Sequence, residues 1–341
     1  MSFDQILRNE RNNPLKFLAL GYSSTGKTYW LGSQNRLRFN IRPHGFQIRG
    51  LKLDVQNEIE TVYNVLSRRE KGAIFSTLKA NTVEIMFKKR FEDLFQVNLS
   101  DIYGQATEVG RNPEETTKLL KIIPEQDGVL IFIKAPSTAR EYDEAVSQLM
   151  RQLDLASPLL KAKRKIPIAL VITQMDKLSG LTNIKDDIER EFIEYRSDRE
   201  DNIEDRLPFI MGDIINSKVK EVIDGSYIKN LIEDFHTQLK GSNAMFRVFP
   251  SSSLGFDNAI ANPAGGVTEV ADGLLSPYGT LASFLWMIYA FHRLNPSRIL
   301  NNKLQINELM EEINHFFITG QAYHDSISKY LNLRDFFDMN N

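Results

Sequence analysis

Four stretches of the chain are almost continuously apolar: Leu15 to Leu20 (LKFLAL), Asp127 to Lys134 (DGVLIFIK), Ile166 to Thr173 (IPIALVIT) and Ala244 to Phe249 (AMFRVF). Runs of this length and type suit strands covered on both faces, as in the middle of a parallel sheet. Thr82 to Lys88 (TVEIMFK) and Phe91 to Leu99 (FEDLFQVNL) instead alternate apolar and polar positions. That is the signature of half-buried strands, and two such neighbours predict an antiparallel hairpin beside the main sheet. Between the strands the period lengthens. Residues 139–155 (AREYDEAVSQLMRQLDL) predict an amphipathic helix, and Asp54 caps another through Arg69, with Val55, Ile59, Val62 and Val65 near helical spacing. Asn112-Pro113-Glu114-Glu115 opens a further helix, while Leu37 to Leu53, broken at Pro43-His44-Gly45, predicts a hairpin or irregular loop. Alternation of strands and helices argues for an α/β fold with a mostly parallel sheet between two helical layers.

The remaining segments fill in the organisation. Residues 1–14 read as a polar lead-in or short first helix. Residues from about 180 to 243 are highly charged, helically patterned and without strand signals, which predicts a helical insertion. Asn262 to Gly279 is rich in glycine and proline and reads as a loop. Leu281 to Phe291 (LASFLWMIYAF) is a buried helix too short to span a bilayer. The expected layout is an extended domain over 1–299, interrupted by the insertion, and a C-terminal helical extension over 300–341.

Composition narrows the function class. Of 341 residues, 42% are hydrophobic and 25% charged, as in a globular protein with a sizeable core. A net charge of −2 gives no global attraction to nucleic acid or acidic membranes. The local basic cluster Arg36, Arg38, Arg42, His44, Arg49 and Lys52 reads as a solvated face. The absence of cysteine excludes disulfides and thiolate zinc sites and fits a reducing cytoplasm. The N-terminal MSFDQILRNERNN lacks the apolar core of a signal peptide, so the expected location is cytoplasmic.

The chemistry concentrates after the first strand. Gly21 to Thr28 reads GYSSTGKT, an intact G-x-x-x-x-G-K-[ST] phosphate loop, or Walker A pattern, set between a strand and a helix start. Gly21 and Gly26 allow a tight turn and close approach to phosphate. The loop N–H groups, through Ser23, Ser24 and Thr25 to Tyr29, would form an anion nest. Lys27 would reach the β- and γ-phosphates, and the Thr28 hydroxyl would ligate Mg²⁺.

In an open parallel sheet, ligands bind beyond the carboxyl ends of the strands, and three later strand ends carry suitable groups. Asp101 can hold Mg²⁺ through water, Gly104 can offer its N–H to a γ-phosphate, and Gln105 is placed to orient an attacking water. Thr173-Gln174-x-Asp176 ends another strand. Its carboxylate can accept the paired ring N–H and amine of guanine, which adenine lacks. Ser252-Ser253 could contact the base oxygen through the backbone.

In this order and spacing the chain resembles a Ras-like (TRAFAC-class) P-loop GTPase over about residues 14–295, minus the insertion. GYSSTGKT matches the first motif of that family, DIYGQ the third, TQMD the fourth and SSLG, Ser252 to Gly255, the fifth. The run EQDGVLIFIK looks like the strand before the family's third helix. The overall layout and the NPAGGVTEVADGLL region are also similar to a group of large bacterial GTPases found in conflict or defence loci.

The resemblance implies a P-loop three-layer sandwich that uses GTP with Mg²⁺. Lys27 would neutralise phosphate charge, Thr28 and Asp101 place the metal, Gly104 sense the γ-phosphate, Thr173 and Asp176 choose the base, and Ser252-Ser253 close its pocket. The lone first-switch threonine of the family is assigned to Thr77, with Ser76 and Thr82 as alternatives. Three features depart from the family: Gln174 stands for the usual lysine that packs on the base, with Lys177 placed to take over that packing; Ser253 stands for alanine; and the segment from Gly32 to Thr77 is long. No arginine finger is evident by spacing, so one would come from a protein partner, a second copy, or Arg111 or Arg140 in the chain. The resulting expectation is a GTP-hydrolysing switch with a protein effector or activator. An ATP-using P-loop enzyme and a nucleotide-bound scaffold with little hydrolysis are the alternatives.

Overall fold

The computed structural model describes residues 14–22, 24–34, 46–50, 82–89, 92–101, 117, 120–161, 165–181, 217–253, 259–260, 269–270, 278–296, 298 and 303–318. The apolar runs form the middle of a seven-stranded sheet. Its strands are β1 (Leu15–Leu20), β2 (Phe46–Gly50), β3 (Thr82–Lys89), β4 (Glu92–Asp101), β5 (Gly128–Lys134), β6 (Ile166–Thr173) and β7 (Ala244–Pro250). Across the sheet they run in the order β2-β3-β4-β1-β5-β6-β7. The predicted hairpin is β3–β4, antiparallel, and β2 adds to its outer edge, so the ambiguous segment around Pro43 contributes a strand. All pairings from β4 through β7 are parallel.

Burial follows from this order. Every residue of β6 is buried, and β5 is exposed only at Lys134, because these strands have a helical layer on each side. On one side lie α1 (Lys27–Ser33) and the later helix α4 (Thr280–Leu294); on the other lie α2 (Ala139–Leu160) and α3 (Tyr227–Leu239). The seam between sheet and α4 is aromatic: Phe17 meets Phe291 at 6.5 Å, Phe249 meets Trp286 at 5.6 Å, and Trp30 meets both Phe132 and Phe284. The architecture is the three-layer α/β sandwich of P-loop NTPases. A small separate ribbon pairs β8 (Ala259–Ile260) with β9 (Glu269–Val270).

Three elements differ from, or sharpen, the sequence reading. Helix α2 continues past 155 to Leu160, through Pro158, because Ala156 and Leu159 are buried and packing outweighs the lost backbone bond. Residues 182–216 of the expected insertion lie outside the described residues; residues 217–224 are helical, with Val219 and Ile223 buried. Helix α3 then serves as the β6-to-β7 crossover, burying Ile228, Leu231, Phe235 and Leu239, since a parallel pair requires such a connection. In the expected C-terminal extension, α5 (Lys303–Ile318) packs on α4 through Ile306, Leu309 and Ile313, and Glu308 pairs with Lys89 of β3. The expected helix from Asp54 to Arg69 and residues 319–341 lie outside the described residues, while Thr117 and residues 120–122 of the helix opened at Asn112 are helical. Among the described residues no helix is long and apolar enough to cross a membrane.

Candidate nucleotide site at the carboxyl edge of the sheet

The chain leaves β1 outward to β2 and returns to place β4 on one side of β1, then places β5 on the other. That reversal of strand order opens a crevice at the carboxyl end of β1, where the phosphate loop sits. The loop turns on two left-handed residues, Ser24 at φ 66° and Gly26 at φ 84°. Left-handed residues of this kind are the backbone geometry from which an anion nest can be built. Thr25 closes the turn by donating its hydroxyl to Tyr22 O at 2.9 Å. A Cβ on Gly21 would lie 2.8 Å from Thr25 Oγ1 and 2.9 Å from Phe132 Cβ, so only glycine fits there.

Lys27 opens α1 and is buried. Its ammonium folds under the loop, donating to Gly21 O at 2.6 Å and Tyr22 O at 3.2 Å. Thr28 and Tyr29 follow in the first turn, both half-buried. Burial raises the pKa of the Tyr29 phenol. The helix is anchored from behind: Trp30 Nε1 donates to Ser283 Oγ of α4 at 3.0 Å, and Gln34 Nε2 reaches both Trp30 O and Thr280 O.

The second part of the site is the end of β6. Thr173 is buried and donates to Thr25 O at 2.6 Å, which fixes β6 against the phosphate loop. Gln174, at φ 60°, donates its amide to Ser24 O at 2.8 Å. Lys177 donates in turn to Gln174 Oε1 at 2.9 Å. The lysine expected to pack on the base is thus engaged with the Gln174 amide, and Gln174 itself tethers the loop.

Asp176 is 3% exposed and accepts the Ser252 hydroxyl at 2.6 Å. Burial pushes its carboxyl pKa up, against the Ser252 hydrogen bond, its own backbone N–H and the Lys177 charge, which pull it down. Partial desolvation lowers the Lys177 ammonium.

The third part is the turn after β7. Ser251 bonds Ile172 O through its N–H and accepts from Met175 N, so this turn is stapled to the Asp176 turn. The N–H of Ser252 donates to Tyr278 O at 2.9 Å. The Ser252 N–H is thus bonded to Tyr278, while its hydroxyl is bonded to Asp176. Ser253 follows, half-buried.

The structure thus gathers Gly21, Ser24, Thr25, Gly26, Lys27, Thr28, Tyr29, Thr173, Gln174, Asp176, Lys177, Ser252 and Ser253 at one edge. Asp101 ends β4 in register with Ala19, directly beside the start of the loop. Ser23, Thr77, Gly104 and Gln105 lie outside the described residues, as do Ser76 and Arg111. Arg140 is in the first turn of α2, exposed and paired with Glu144 at 3.1 Å. Sequence reasoning missed Ser251, Tyr278 and Gly279. Only the glycine carried a local signal, since Gly279 adopts φ 70° and a Cβ there would lie 2.0 Å from Pro250 O.

No family model matches the chain, and no curated protein sequence matches it. Among solved structures it is similar to a signal recognition particle receptor in the SRb-GTP/SRX complex from Chaetomium thermophilum, at 12% identity and TM-score 0.34, over 74% of this chain and 94% of that one. It is also similar to the S. cerevisiae Ski7 GTPase-like domain bound to GDP and inorganic phosphate, at 12% identity and TM-score 0.38, over 87% and 53% of the two chains. The same domain bound to GTP matches at 12% identity and TM-score 0.32, over 90% and 54%. The chain spans about half the length of the Ski7 chains it matches.

Proposed function

We propose that this chain binds guanine nucleotide and hydrolyses GTP to GDP as a Mg²⁺-dependent molecular switch. The observation that carries the reading is the buried Asp176 carboxylate, oriented by Ser252 and tied through Thr173 and Gln174 to the phosphate loop. A carboxylate offers acceptors only, and the Ser252 bond leaves acceptor capacity on it. Guanine supplies two parallel N–H donors to such a group and adenine does not. The pyrophosphate would lie in the Ser24–Gly26 nest, with the Lys27 ammonium turning from the loop carbonyls to the β- and γ-oxygens. Tyr29, next in α1, would line the same cradle.

Thr28 and Asp101 offer hard oxygen donors that would hold Mg²⁺, and the ion would supply positive charge against the phosphates. Gln105 would orient the attacking water, Gly104 would sense the γ-phosphate, and Thr77 would close the first switch, with Ser253 at the base pocket. No arginine finger is evident from the spacing of the sequence, so the expectation is slow turnover by the chain alone, accelerated by a protein partner. The sequence resemblance to large bacterial GTPases of multi-gene defence loci is what supports a regulatory role in a cytoplasmic multi-protein system as part of this proposal.

The test is competition of GTP, GDP and ATP for the purified chain, together with Mg²⁺-dependent phosphate release. GTP and GDP should outcompete ATP. Lys27→Ala should weaken GTP binding by about 10- to 100-fold, the worth of a charge-assisted contact to phosphate. Equal affinity for ATP, or Lys27→Ala binding as well as the parent, would overturn the assignment.

A further inference from the structure

Among the described residues, two that are not glycine adopt positive φ: Ser24 and Gln174. A left-handed backbone costs such residues about 1–2 kcal/mol each. Here the two lie 150 positions apart in sequence and are bonded to each other, Gln174 Nε2 to Ser24 O at 2.8 Å. Strained turns persist when their surroundings over-determine them, and they concentrate where geometry matters for function.

The orientation of the Gln174 amide is itself determined. A glutamine amide has one donor end and one acceptor end, and rotation by half a turn exchanges them. Ser24 O only accepts, so it requires Nε2. The Lys177 ammonium only donates, and it holds Oε1 at 2.9 Å. With both neighbours in place, one amide orientation satisfies each contact and the other turns two attractions into two repulsions.

We propose that Lys177 is a positioning residue for the phosphate loop: by orienting the Gln174 amide it holds the left-handed turn at Ser24, whose geometry shapes the anion nest. The inference rests on the guanine-nucleotide reading above and deepens it. On that reading, the turn that reads the base and the loop that cradles phosphate are coupled through a two-residue relay, Lys177 to Gln174 to Ser24. Lys177 acts through Gln174 and not through the nucleotide.

A double-mutant cycle separates these possibilities. Equilibrium binding of GDP is measured for the full chain and for Lys177→Ala, Gln174→Ala, the double variant and Lys177→Arg. Each alanine variant should weaken GDP by about 3- to 10-fold, the worth of one hydrogen bond. The double variant should be no weaker than Gln174→Ala alone, and Lys177→Arg, which keeps a cationic donor, should recover most of the loss. The ratio of GDP to ADP affinity should stay constant in Gln174→Ala and Lys177→Arg, which keep both Asp176 and the positive charge beside it. If the two losses multiply in the double variant, Lys177 acts directly and the relay is wrong. If the parent binds GDP selectively and Lys177→Ala is unchanged, the relay is wrong while the site assignment stands. If the parent fails to bind GDP, the site assignment falls and the relay with it.

Discussion

Replacing Asp176 by Asn should reverse the economy of the site, strengthening the empty fold while weakening the ligand. The carboxylate is 3% exposed and is bonded by Ser252 at 2.6 Å. Asn retains an oxygen for Ser252, so the turn is kept. It presents an N–H where, on the proposed reading, the second carboxylate oxygen would face a guanine donor. At least one charge-assisted bond, worth about 1.5–3 kcal/mol, is lost and a donor–donor contact is gained. The sum is about 2–4 kcal/mol, or roughly 30- to 1,000-fold in GTP affinity.

The stability effect has the opposite sign. Burial raises the Asp176 carboxyl above its ordinary 3.8, so the folded state holds that proton more tightly than the unfolded chain does. The parent is therefore most stable with respect to this group below that value and loses stability as pH rises through the raised one. Asn does not titrate, so Asp176→Asn should unfold at higher temperature than the parent near neutral pH, and the gap should close in acid. Thermal unfolding across pH, paired with competition among GTP, xanthosine triphosphate and ATP, reads both effects. Xanthosine triphosphate should gain on GTP in the variant. A loss of GTP affinity under about 5-fold with the base preference unchanged would refute the placement of Asp176 on the purine.

Two other predictions concern what holds the site. Gly279→Ala forces a side chain into φ 70° and against Pro250 O, in the segment bonded to Ser252; it should cost about 2–4 kcal/mol in urea unfolding and weaken GTP alongside. Glu141 caps the start of α2 by accepting from Ser137 and pairing with Lys134, which holds its carboxyl down at about 2 against an ordinary 4.5. Its contribution is present above the ordinary value and lost as pH falls toward the lowered one. Since the side chain is 33% exposed, Glu141→Gln should cost under about 1 kcal/mol at neutral pH, and the difference from the parent should disappear in acid denaturation near pH 2.

Legibility in the sequence tracked the range of the forces involved. Strands β1, β5, β6 and β7 were readable because burial on both faces favours apolar residues at nearly every position, with Lys16 and the buried Arg247 as interruptions, so the apolar run is itself the record of the environment. The hairpin was readable from its alternation. The far end of α2 was not, because Pro158 argues against helix locally and only the buried Ala156 and Leu159 override it. Helix α3 looked like part of a charged insertion, since its outer face is charged and its role as a crossover is set by where β7 docks.

Local pattern was enough for the hairpin β3–β4, the four central strands, the phosphate-loop motif and the identity of the residues at the strand ends, because each depends on local periodicity or on a motif whose spacing is short; β2 and β9 fell in segments that read as loop or irregular. Tertiary structure alone decided which atoms those residues spend on one another: Ser252 on Asp176 and Tyr278, Gln174 on Ser24, Lys177 on Gln174. These bonds join positions far apart in the chain, and hydrogen bonding at such separation is fixed by strand order and register, which no local pattern encodes.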